Sequence, residues 1–244
     1  MSKIPDPPER VRAEFRRYLI KRGGGAGFAP YGPKEELKRF RFYLHTLEKF
    51  ISDQEAAELA ILDAKAKDLA EEARSEFWSH YYPVHWDEIF RETLHSSFLI
   101  SLISFVEVTL MQLCRDVDVI AKAPLSANDI KGTVLERSQV FLRTFGGFTA
   151  PSDDQWTTLS RIYDVRNVLI HNGGALYASR HESRVMQFAN SVPGLVETHG
   201  RLEVKPAFAS FTLDLIDQFV ASLQTQLGKL CRRVQSFEKS ERAP

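Results

Sequence analysis

Residues 160–174 read SRIYDVRNVLIHNGG and bring Arg166, Asn167 and His171 onto one helical stretch. A guanidinium does not give up its proton in a protein, so an arginine on a packing face must meet a carboxylate, carbonyls, an incoming phosphate or a route to water. At about 100° per residue, Leu159, Ile162, Tyr163, Leu169 and Ile170 cluster on one side with Arg166 near its middle. Ser160, Asp164, Asn167 and His171 form the neighbouring polar stripe. Arg166 therefore does not lie where an idle arginine would be solvated. Two outcomes are open: it receives an anion, or it pairs internally with Glu107 and fixes helix register while His171 caps the negative end of its helix.

The supporting carboxylates come from two places. Glu107 belongs to an apolar helix whose polar stripe is Ser97, Ser101, Ser104 and Glu107, at spacings of four, three and three. The serines can bond to carbonyls one turn back, whereas a carboxylate flanked by so much apolar surface needs a partner. Asp164 lies seven positions before His171 on nearly the same face. It is either a holder of that imidazole through a water or a solvated helix acid.

Metal chemistry is not expected. Cys114 and Cys231 are far apart and show no zinc-type spacing, which suits buried thiols. His80 and His85 near Asp87 and Glu88 match no i, i+4 ligand pair and are split by Pro83, so SHYYPVHWDE reads as an aromatic turn. The glycine run RGGGAG has no following Gly-Lys-Ser/Thr and reads as a joint.

The elements that must position these residues are helices. Leu37, Phe40, Leu44, Leu47 and Ile51, then Leu59, Leu62, Ala66, Leu69, Ala73 and Phe77, follow helical periodicity, with SDQE at 52–55 marking a possible capping box and kink between them. A broadly apolar helix follows from Trp86 to Lys122, of the kind that lies at the centre of a bundle. A shorter helix over Thr133–Phe145 stops at Gly146 and Gly147. Ser152 and Gln155 form a capping box that opens the helix carrying Arg166, and Asn172, Gly173 and Gly174 end it. LVETHGRLEVK, near 195–205, alternates around His-Gly as a small β-hairpin, and Phe211 to Phe237 mark a last amphipathic helix. The expected fold is an all-α, up-and-down helical bundle with that one hairpin.

Composition sets the wider frame. The 244 residues, 43% hydrophobic and 26% charged, suit one globular domain with appendages. We divide the chain into a flexible basic segment at 1–33, a long helical segment at 34–85, the main helical domain at 86–238 and a tail at 239–244. Charge balances at 32 basic and 32 acidic residues, so net charge does not point to nucleic acid. Positions 1–41 nevertheless hold eleven Lys/Arg against five Asp/Glu, and positions 42–100 five against twelve. No run is expected to reach the ~18 apolar residues of a membrane span, and MSKIPDPPER lacks a signal-peptide core. A soluble cytoplasmic protein follows.

RNVLIH resembles the Arg-Asn-x-x-x-His signature of the HEPN superfamily, matched by Arg166, Asn167 and His171 in type and spacing. The setting is similar too: late in a helix of an all-α domain, before a glycine stop and after a long apolar helix. The resemblance spans roughly 86–237. It implies a metal-independent endoribonuclease of defence, abortive-infection or toxin–antitoxin type that needs no cofactor. His171 would be the general acid/base for 2′-hydroxyl attack, Arg166 would bind the phosphate, and Asn167 would orient it. The expected products are a 2′,3′-cyclic phosphate and a 5′-hydroxyl.

The resemblance also implies RNA as partner, a homodimer, and an antitoxin or sensor protein as regulator. The alternatives are a non-catalytic HEPN-like module for RNA binding, nucleotide binding or dimerisation, and a purely structural network. Spacing adds one inference. Arg166 and His171 diverge by about 140° around the axis, so a composite site across a two-fold interface would unite them better than one chain.

Overall fold

The computed structural model describes residues 32–240, so nearly all of the expected basic segment and positions 241–244 of the tail lie outside the described residues. The elements are α1 (Pro33–Ala66), α2 (Glu71–Tyr81), a π-helical turn (Trp86–Arg91), α3 (Glu92–Ala121), a short 3₁₀ turn (Ala127–Asp129), α4 (Val134–Thr144), α5 (Asp153–Asn172), α6 (Glu182–Ala189), β1 (Leu195–Thr198), β2 (Arg201–Val204) and α7 (Pro206–Ser240). The described fold is all-α with one two-stranded antiparallel hairpin. Contacts group into two compact units, one comprising Ile103–Tyr163 and the chain from Leu213 with the start of α1, the other Lys38–Leu102 and Asp164–Thr212.

In the first unit, Ile103, Leu110, Val117 and Ile120 of α3 and Phe141 of α4 are fully enclosed, and the rings of Trp156 and Phe219 meet edge to face with centroids 4.7 Å apart. The Ser152 capping box forms as expected: Gln155 N donates to Ser152 Oγ at 3.3 Å, and Ser152 N donates to Gln155 Oε1 at 3.1 Å. A second box, Thr133 with Glu136, opens α4, and these bonds hold the Glu136 carboxyl below its ordinary range. Burial pushes the Cys114 thiol up to about 11, consistent with an inert core cysteine.

In the second unit, Leu44, Ile51, Phe98, Leu99 and Leu102 form a core that continues through Val185, Leu202 and Phe208. Ser97 Oγ donates to Thr93 O and Ser101 Oγ to Ser97 O, the back-bonding expected of that stripe. The hairpin pairs Leu195 with Val204 and Thr198 with Arg201, and His199 and Gly200 both take positive φ in its two-residue turn.

Two expectations need correction. No break occurs at 52–55: α1 runs through, and Arg91 from the π-helical turn takes Glu55 as an ion-pair partner and reaches Ser52, so those side chains serve a tertiary contact rather than a cap. The break falls at 67–70, where the Arg74 guanidinium donates to the carbonyls of Ala66 and Lys67. The stretch 71–121 also contains an 18-residue window of mean hydropathy 1.8, long and apolar enough to cross a membrane, although 44% of it is buried inside the protein.

His95 was not anticipated at all. It is 1% exposed, and its Nε2 lies 3.0 Å from Glu48 Oε1. Burial lowers its pKa, with Glu48 opposing and the Arg91 and Lys205 charges reinforcing the fall. A histidine whose folded pKa is depressed binds fewer protons than the unfolded chain, so it destabilises the fold as pH drops below about 6.5. Thermal melts should therefore lose stability between pH 7 and 5.5, and His95→Gln should flatten that slope.

Candidate functional site

The helix α5 exposes Asp153, Asp154, Thr157 and Ser160 in its first half and is most enclosed from Ile162 to Val168. Tyr163, Asp164, Val165 and Val168 are all buried, and the chain emerges at Ile170 and His171. The projected single packing side was therefore too narrow, since Val165 and Val168 bury a second side and Ile170 is exposed. Arg166 and Asn167 are half-buried and His171 is exposed.

Arg166 donates from Nη1 to Asn167 Oδ1 at 3.1 Å. Its Nε is buried and has no hydrogen-bond partner among the described residues. Asn167 thus steadies the guanidinium through a neutral carbonyl, which leaves its charge uncompensated by this bond. Glu107, the expected internal partner, is half-buried and belongs to the other compact unit.

Asp164 is buried, which removes the solvated-acid alternative. Its carboxylate serves Arg184 rather than His171: Arg184 Nη2 lies 2.7 Å from both Oδ1 and Oδ2. This contact ties α6 to α5 and was missed because α6 went unrecognised. Its signal was present in Val185, Phe188 and Ala189, apolar and buried at helical spacing.

What fixes His171 is the segment just after it. Gly173 and Gly174 turn the chain at φ of 56° and 87°. Gly174 N donates to Val168 O at 3.1 Å, Leu202 N donates to Gly174 O at 2.8 Å, and Leu176 N donates to Gly200 O at 2.9 Å. The hairpin therefore holds the end of α5. A Cβ on Gly174 would stand 3.2 Å from Leu202 O in a backbone conformation that L residues rarely adopt. Gly174→Ala should cost about 1–3 kcal/mol in denaturant unfolding and loosen His171.

The histidines near the aromatic turn also have defined roles. His85 Nε2 lies 3.2 Å from Glu58 Oε2, and Trp86 Nε1 donates to the same oxygen at 2.7 Å. They pin the turn to α1.

The chain matches no protein-family model, no curated protein and no solved structure. Together Arg166, Asn167 and His171 offer a steadied guanidinium with unused donors, an amide beside it, and an exposed imidazole at a braced helix end.

Proposed function

We propose that the chain is an endoribonuclease that cleaves RNA without a metal, in the manner of the HEPN family that RNVLIH resembles. One observation carries the reading: Arg166 is held by Asn167 with its Nε unused, about 1.4 turns before an exposed His171. A fork of fixed donors suits a phosphate gaining negative charge. In the proposed reaction the imidazole takes the 2′-hydroxyl proton, the 2′-oxygen attacks phosphorus, and the bond to the 5′-oxygen breaks. That oxygen takes a proton from water and the imidazolium releases its proton to the hydroxide formed, leaving a 2′,3′-cyclic phosphate and a 5′-hydroxyl. DNA, without the nucleophile, should survive. The reading goes with a homodimer, a defence or toxin–antitoxin setting and a protein that restrains the activity.

The test is incubation of purified protein with mixed single-stranded RNA in EDTA, with the product ends identified. Cleavage to cyclic phosphate ends supports the proposal. Intact RNA that is nevertheless bound would replace it with a non-catalytic RNA-binding module, and growth arrest on expression would support the toxin setting.

A further inference from the structure

Between the glycine stop of α5 and the first turn of α6, the chain reads SRHESR at 179–184 and forms an open pocket of about 380 Å³ lined by those six residues. Arg180 Nε donates to His181 Nε2 at 3.0 Å. That bond places the ring proton on Nδ1, yet Nδ1 lies 2.9 Å from Arg184 Nη2. A neutral imidazole offers one acceptor nitrogen and a charged one offers none. The ring therefore cannot satisfy both arginines, and three cationic or donor groups crowd together with an unmatched contact.

The cluster's nearby carboxylates do not resolve this. Asp164 faces Arg184 from α5 and is already engaged by it. Glu182 is exposed at the pocket and pairs with neither arginine among the described ion pairs. An anion entering beside Arg180 and His181 would give the donors an acceptor.

Position says which anion. Arg184 is anchored at Asp164, seven residues before His171 on α5, a separation of about 10 Å along the helix and only about 20° around it. At about 3.4 Å per nucleotide of a stacked strand, this corresponds to about three nucleotides. We propose that Arg180, His181 and Arg184 form a second phosphate site for the same RNA strand, about three nucleotides from the bond cleaved at His171. This inference rests on the RNA-cleaving reading. The cluster binds and positions; it takes no part in the bond-breaking step.

Opposite charge changes give the test opposite signs. In a His171→Ala background, which separates binding from cleavage, anisotropy of a labelled single-stranded RNA is titrated at several salt concentrations. Arg180→Ala should weaken binding about 5–10-fold and make the salt slope shallower by about 0.7, the loss of one phosphate contact on a single strand. Glu182→Gln should tighten binding about 2–3-fold. Both keep the Arg184–Asp164 tie, and circular dichroism checks folding.

If neither variant moves affinity or slope while His171-competent protein cleaves RNA, this site is overturned and the enzyme reading stands. If both shifts appear but His171-competent protein leaves RNA intact, the site stands as a binding track and the enzyme reading falls. Absence of any RNA binding overturns both.

Discussion

Replacing His171 by alanine should lower RNA cleavage by about 10²–10⁴-fold, the range general acid/base catalysis supplies. The fold should survive the change. His171 is exposed and engages in no hydrogen bond or ion pair among the described residues, and backbone bonds at Gly174 and Leu202 brace the helix end. Loss of rate with unchanged circular dichroism and unchanged melting would therefore report chemistry. RNA affinity should hold to within a few-fold, because the phosphate donors are elsewhere. A variant that still cut at the parent rate would remove His171 from the reaction. A variant that melted early would point to the capping role instead.

The helix carrying these residues was readable from the chain because its limits are local. Ser152 with Gln155 and Gly173 with Gly174 need no distant partner, and both signals sit where the structure places them. The hairpin was readable for the same reason, since His199-Gly200 fits a two-residue turn between alternating strands. SDQE at 52–55 failed because the same residue types serve a contact with Arg91, about forty positions away. Local pattern cannot separate a cap from a surface that awaits another segment.

Asp164 shows the limit within the site. Spacing places it on nearly the same helix face as His171, seven residues away, but the structure buries it against Arg184, which comes from a short helix with little signal of its own in the chain. Arg166, Asn167 and His171 stand out by type and spacing alone, whereas the basic cluster at 180–184 depends on α6 folding back onto α5. A side chain's address along a helix is local information. Its partner is not.

The divergence of Arg166 and His171 leads to the second large effect. Five positions correspond to about 140° around the axis, so one chain presents the Arg166 guanidinium and the His171 imidazole in different directions. In a homodimer with a two-fold axis, the arginine of one protomer can meet the histidine of its partner over one phosphate. Arg166→Ala alone should lower cleavage by about 10²–10³-fold, the usual loss when a donor to developing charge is removed. Mixing it with His171→Ala should then restore activity. Random exchange makes half of the dimers mixed, and each mixed dimer holds one site with both groups intact and one with neither. The expected recovery is about a quarter of the parent rate per protomer, from two proteins that are each nearly inactive. A mixture no more active than its components would mean that each active site draws both groups from one chain, with the long guanidinium curling around α5 to reach the face of His171.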